Sequence, residues 1–354
     1  MYGRIQAEAK ERLSQFASLV KLIAKKRLAS YSSVAIRENT ITILASDFTS
    51  FLELQAGVES DGAVEFKTDI GKFLHFLEEE GDIEFRLGER LELKAGSKKV
   101  KLPVEEVHEF NLDYSGLIKI FEVHPSIFKV GLDKVIDFTN PKDMVFSHVL
   151  IRGLDNRVEI VGTDGHRLVI HAIPEKIGEF SMYIPHEAVK ILRKWLDIEV
   201  NSIEVEVYST LARFIGENST LTIRLGEVNF PDYNAVIPKD WKYSVEVGRE
   251  DFLNIIKDVK DYLGVVPVVL NIERGNIRIE ADDPNEGGYE NVVEVDYEGD
   301  NIRVGFNASY LIDALEVVDD AKIVMFLNDA DSVVSIKPDN LEELTEIYVM
   351  PMRL

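Results

Sequence analysis

The sequence predicts an α+β chain built as three similar domains, because two local patterns recur along it in the same order. The first is an alternating strand that closes on a small residue and an aspartate. It occurs at 39–47, 156–164 and 275–282, with Asp47, Asp164 and Asp282 spaced 117 and then 118 positions apart. The second is a strand end, a capping-type residue and a helix with apolar residues three and four apart, at 66–74, 184–192 and 306–315. A period this long is a whole domain and not a solenoid repeat. The predicted domains are 1–117, 118–240 and 241–354.

Each unit opens on a helix, at 7–27, 125–138 and 249–261, and ends on alternating strands within 83–93, 203–223 and 323–336. Each domain therefore reads as two helices packed on antiparallel sheet. Segments 97–104 and 265–272 are the expected sheet edges of the first and third domains.

Composition narrows the function classes. Hydrophobic residues make up 45% of the 354, enough for packed cores, and 29% are charged. The absence of cysteine excludes disulfides, thiolate catalysis and cysteine-ligated metals. The polar, helix-forming residues 1–10 do not read as a signal peptide, and no apolar run is long enough to span a bilayer, so the expected location is the cytoplasm with no membrane partner. A net charge of −23 argues, taken globally, against nucleic acid. Locally the sign varies: segment 7–27 carries +4, whereas 308–320 carries −4.

No catalytic or metal constellation emerges. Asp164 and His166 sit together, but Ser147, Ser181 and Ser209 lie in no nucleophile-elbow pattern. Asp164-Gly165 reads as a turn, with Gly165 supplying a positive φ. The seven histidines form no helical H-x-x-x-H pair, Asp329 and Asp331 lack the rest of a calcium loop, and there is no phosphate-binding G-x-x-x-x-G-K-[ST]. No cofactor, metal or catalytic residue is expected. The end of the sequence, with Met350, Pro351, Met352 and Leu354 around one Arg353, is unusually apolar and must pack or bind.

Three strings carry a resemblance. They are Thr163-Asp-Gly-His-Arg-Leu168; Asn229-Phe-Pro-Asp-Tyr233 followed by Val236-Ile-Pro238; and Tyr348-Val-Met-Pro-Met-Arg-Leu354 with Phe306-Asn-Ala-Ser-Tyr310 upstream. Together they resemble the bacterial DNA polymerase III beta sliding clamps, most strongly in the second and third repeats. The resemblance implies a head-to-tail homodimer, a ring of six similar domains with helices lining the hole. Such a ring encircles double-stranded DNA and slides without sequence specificity. The chain would be a non-catalytic processivity subunit of a DNA-directed DNA polymerase. Its implied partners are the polymerase III catalytic subunit, the clamp loader, and other polymerases and repair proteins carrying a clamp-binding peptide.

The resemblance also implies a hydrophobic cleft for those peptides. Its residues would be Phe146, Thr163, Gly165, His166, Arg167, Leu168, Pro231, Val236, Asn307, Tyr310, Val333, Ser335, Val349, Met350, Pro351, Met352 and Arg353. Ala235 departs from the family, which often carries a long basic residue there. DNA-facing candidates are Lys21, Lys25, Lys26, Arg27, Lys129, Asn140, Lys142, Lys190, Arg193 and Lys194. Two other readings compete: a clamp-fold interaction scaffold that does not encircle DNA, and a hydrolase using Asp164 and His166.

Overall fold

The computed structural model describes residues 1–24, 31–107, 111–264, 266–340 and 344–354; Lys25, Lys26, Arg27 and Val265 lie outside the described residues. The chain forms two compact units. The first comprises 1–130 and 182–227, the second 131–181 and 228–354.

In the first unit, a five-stranded antiparallel sheet runs in the order Glu59–Ser60, Tyr2–Ile5, Ile83–Leu87, Arg90–Ala95, Lys98–Pro103. An eight-stranded sheet runs Leu117–Val123, Ile203–Tyr208, Leu211–Ile215, Ser219–Arg224, Ser50–Gly57, Thr40–Ser46, Tyr31–Arg37, Val64–Phe66. Its centre joins the second repeat to the first, with Leu221 opposite Leu52. Helix Ala17–Ala24 packs against helices Ile70–Phe76 and His186–Leu196. The last of these is amphipathic by its spacing. Ala188, Val189, Ile191, Leu192, Trp195 and Leu196 are buried, while Lys190, Arg193 and Lys194 fall between them. Trp195, fully buried, lies 6.4 Å from Phe214 and donates its indole N–H to Ser219 at 2.7 Å.

In the second unit, seven strands of one sheet run in the order His148–Gly153, Val158–Thr163, Arg167–Ile173, Thr345–Val349, Val334–Pro338, Lys322–Leu327, Tyr243–Gly248. Its centre joins the second repeat to the third, with Leu168 opposite Tyr348 and Ile170 opposite Glu346. A four-stranded sheet runs Gly287–Glu294, Asn276–Asp283, Pro267–Glu273, Ile302–Asn307, and helices Arg249–Leu263 and Ala308–Val317 pack together. The two halves of the second repeat thus extend the sheets of the first and third, so the compact units divide that repeat rather than following the sequence period.

The strand–aspartate pattern has a single structural cause. Asp47 Oδ1 accepts the N–H groups of Thr49 and Ser50, and Asp164 Oδ1 those of His166 and Arg167. In the third repeat the same turn is held by Asp283, which accepts from Asn285 and Glu286, one position beyond the Asp282 that the sequence pattern selects. An aspartate oxygen that closes its own turn explains why this residue ends each strand. The capping expectation holds at Asp69, which accepts from Lys72 N at 3.0 Å, and at Asn307, which accepts from Ser309 N at 2.9 Å. Helix His186–Leu196 instead starts from Pro185 with no side-chain cap.

Two expectations are corrected. The opening helix is interrupted: Ala7–Gln15 and Ala17–Ala24 are separate helices meeting at Phe16, whose side chain is buried. Segment 265–272 is not an edge, because strand Pro267–Glu273 is paired on both sides, with Asn276–Asp283 and Ile302–Asn307. The edges of that sheet are Gly287–Glu294 and Ile302–Asn307, and the latter is bridged at Gly305 by Met352. Lys98–Pro103 is an edge as expected. Among the described residues no helix is long and apolar enough to cross a membrane, and no group of three or more His, Asp or Glu could hold a metal ion.

Candidate functional site

The second unit holds the Thr163–Leu168 turn, and its geometry follows from a few residues. Gly165 has φ +88°, a conformation L side chains rarely adopt, and a Cβ there would meet the Phe146 ring at 3.1 Å. Thr163 Oγ1 donates to Arg167 O at 2.7 Å and accepts from Gly165 N at 3.1 Å. Both Asp164 oxygens are committed, Oδ1 to the turn and Oδ2 to Arg167 Nε at 2.9 Å. The hydrolase reading therefore finds no acid–base pair, since Asp164 binds the His166 backbone while the His166 ring stacks on Tyr310 with centroids 5.9 Å apart.

Arg167 ties this turn to helix Ala308–Val317. Its guanidinium bonds Asp164, Asp313 and the carbonyl of Asp137, and lies 4.7 Å over the Phe138 ring and 4.8 Å over Tyr310. A planar fork stacked between rings and tied to two carboxylates is held in one orientation, which lysine could not reproduce. The terminal segment docks on the same place. Met350 N donates to His166 O at 2.9 Å and Met352 N to Gly305 O at 2.8 Å.

The predicted cleft residues fall into two groups. Gly165, His166, Pro231, Val236, Met350, Met352 and Arg353 are exposed, and Phe146, Arg167, Asn307, Tyr310 and Pro351 are half-buried. Thr163, Leu168, Val333, Ser335 and Val349 are buried and support the surface from beneath. Met350 and Met352 are each about two-fifths exposed, which leaves apolar area open to solvent beside the turn. Pro231 and Val236 sit on the segment anchored by buried Tyr233. Asn307 spends its side chain on its helix cap.

Sequence reasoning missed the polar network on the same sheet face. Glu159, 2% exposed, accepts from Tyr233 Oη at 2.7 Å, Arg152 Nε at 2.9 Å and Arg157 Nε at 2.9 Å. Burial alone would raise its carboxyl, but the hydrogen bonds from Tyr233 and Arg157 and the charge of Arg152 hold it below the usual range. Glu346 is also held low: burial opposes, and hydrogen bonds from Lys337 and Tyr348 prevail. The signal available beforehand was a charged residue at a strand position whose neighbours are all apolar.

In the first unit, Lys129, Lys190, Arg193 and Lys194 surround a hollow of about 350 Å³ with Leu22 and Asp197. Asp197 pairs with Lys129 at 3.3 Å and Glu187 with Lys190 at 2.8 Å. Four cations therefore face one lining carboxylate, the reverse of the overall charge. Lys21 lies 3.8 Å from Glu78. Asn140 and Lys142 belong to the second unit, where Asn140 Oδ1 accepts from Lys142 N in a turn. Lys25, Lys26 and Arg27 lie outside the described residues.

Residues 234–353 match the family of the DNA polymerase III beta subunit, C-terminal domain. A beta sliding clamp of Proteus mirabilis is 27% identical over 343 residues, covering 90% of each chain. That of Escherichia coli K12 is 30% identical over 201 residues, 55% of this chain and 54% of that protein. The crystal structure of the Pseudomonas aeruginosa DNA polymerase III subunit beta superposes with a TM-score of 0.91 over the whole of both chains at 22% identity, which shows a shared fold.

Proposed function

We infer that this chain, a member of the bacterial DNA polymerase III beta sliding clamp family, serves DNA replication as a clamp. In this reading it is a non-catalytic, cytoplasmic processivity factor of three domains, 1–117, 118–240 and 241–354. Two copies close into a ring around duplex DNA, and the Thr163–Leu168 turn with the terminal methionines receives peptides from the polymerase, the clamp loader and repair proteins. The observation that carries it is the pairing of exposed Met350 and Met352 with the rigid His166–Arg167–Tyr310 cluster. It offers apolar anchor sites beside fixed polar groups, the composition of a peptide-binding surface.

The charge objection is answered by topology and by the local field. A closed ring leaves DNA only by opening or at an end, so weak phosphate contacts suffice, and tight ones would stop it sliding. The hollow ringed by Lys129, Lys190, Arg193 and Lys194 supplies such contacts. Ring closure has a matching pair of edges. Strand Lys98–Pro103 is basic, with Lys98, Lys99 and Lys101, and edge Gly287–Glu294 is acidic, with Glu290 and Glu294. Exposed Tyr262, stacked on Tyr289, and exposed Val292 add apolar area that a second copy would cover.

The test is retention. The protein is loaded by a clamp loader onto nicked circular duplex and the circle is then cut. Retention on circles and loss from cut ends is expected, with the triple variant Lys190→Gln, Arg193→Gln, Lys194→Gln lost faster as salt rises. Equal retention on both forms would mean ordinary contact binding. No retention, with a known clamp loading normally, would favour a scaffold that does not encircle DNA.

A further inference from the structure

The sheet face that carries Leu168 and Tyr348 continues past them into a hollow of about 540 Å³, large enough for one or two side chains. Its floor is apolar, with Ile170, Ala172 and Ile237, and Arg157, Lys337 and Glu346 stand around it. The registers place it directly beyond the turn: Leu168 opposite Tyr348 is followed on the same face by Ile170 opposite Glu346. The hollow is therefore continuous with the floor of the proposed peptide surface.

The charges there are unequally used. Glu159 is saturated, because Arg152, Arg157 and Tyr233 all donate to it and it is almost wholly buried. Glu346 accepts from Lys337 at 2.8 Å and also from the Tyr348 hydroxyl. Arg157 gives Nε and one Nη to a single oxygen of Glu159, and Lys337 gives one bond to Glu346. No other acceptor among the described residues takes the remaining N–H groups of either cation. Arg157 and Lys337 are 46% and 31% exposed at the side chain, so those donors can be reached from solvent. Glu159 is spent on the protein, Glu346 keeps a side chain 42% exposed beside Lys337, and spare donors remain on both cations. Exposed donors of that kind take an anionic group in charge-assisted hydrogen bonds.

We propose that this hollow is a specificity pocket for an acidic side chain that flanks the apolar anchors of a partner peptide. The proposal rests on the peptide-surface reading above and adds the chemistry of a second position. The occupant's carboxylate takes bonds from Arg157 and Lys337, and its aliphatic stem lies on Ile170 and Ile237. Ala235, where the family often has a long basic residue, presents no side chain that would reach over the opening formed beside Asn234 and Ile237.

The test uses synthetic peptides with one apolar core, flanked either by Asp or by Asn, with binding to the full-length protein followed by fluorescence polarisation. The Asp peptide is expected to bind about tenfold tighter at low salt, an advantage that shrinks as salt rises. Lys337→Gln and Arg157→Gln should each reduce the advantage, and Lys337→Gln, which leaves the Glu159–Tyr233 network intact, should leave the Asn peptide unchanged. Glu346→Gln, which releases Lys337, should enlarge it, and a residue needed only for folding would not give that opposite response. An Asp preference of less than twofold in the unaltered protein, or one untouched by all three variants, would overturn the pocket. Failure of both peptides to bind at all would instead sink the peptide-surface reading on which it depends.

Discussion

At the scale of residues, burial and partners decide what each ionisable group does. His171 projects towards helix Pro125–Val135, where a Cβ on Gly131 would lie 2.9 Å from its ring, and its Nδ1 meets Thr345 Oγ1 at 3.0 Å. Burial, and then the positive charge of Lys134, push its pKa down to about 4, with Asp319 acting the other way. Between about pH 4 and 6.5 the unfolded chain binds a proton here that the folded chain refuses, so stability rises with pH across that window. One such group contributes a slope of at most about 1.4 kcal/mol per pH unit. His171→Gln should flatten the dependence of the urea midpoint on pH between 4.5 and 6.5, and an unchanged slope would assign it to other groups. Residues of this kind are poorly legible in sequence. A histidine on a strand looks the same whether it faces solvent or a helix, and the turn aspartates were legible only because each bonds its own neighbours. Even there the third repeat was misread by one position, since Asp282 and Asp283 are adjacent and only the backbone decides which closes the turn.

At the scale of elements, local pattern gave the strands and helices, and long-range pairing did not follow from it. The helix His186–Leu196 was readable because its apolar spacing is strong and continuous. The mistaken edge at 265–272 arose because an alternating strand has the same sequence signature whether one or two neighbours pair with it. The terminal segment was legible for a different reason: five residues with three large apolar side chains at a chain end have no ordinary solvated role. It forms almost no regular structure, and two backbone bonds, to His166 and Gly305, hold it. Deleting residues 350–354 should abolish binding of apolar peptides by at least about two orders of magnitude, because it removes the methionine anchors. The strand Thr345–Val349 stays paired on both sides, so the melting temperature should fall little and dimerisation should persist. Calorimetric titration with a peptide, beside a thermal melt, separates the two effects. Unchanged affinity would remove the terminal segment from the binding surface.

At the scale of the whole molecule, the proposed ring requires a chain of net charge −23 to associate with itself against its own repulsion. The edges proposed for ring closure answer this by opposing signs locally. Lys99 and Lys101 both bond Glu92, at 2.8 and 2.6 Å, and hold its carboxyl down to about 2, so the basic edge is partly neutralised within its own sheet. What remains for a second copy is a few exposed charges around main-chain pairing, an arrangement whose strength is moderate and salt-dependent. Lys99→Glu with Lys101→Glu should therefore raise the dimer dissociation constant about ten- to hundredfold, measured by sedimentation. Glu290→Lys with Glu294→Lys should do the same. Mixing the two doubly substituted chains restores opposite signs at both interfaces of a closed ring, one with the signs reversed and one unaltered, and should recover hetero-dimers at concentrations where each alone is monomeric. Recovery would tie the basic edge to the acidic one across subunits. Two variants that each weaken the dimer but do not rescue one another would mean that the charges act within their own sheets, and that closure uses other edges.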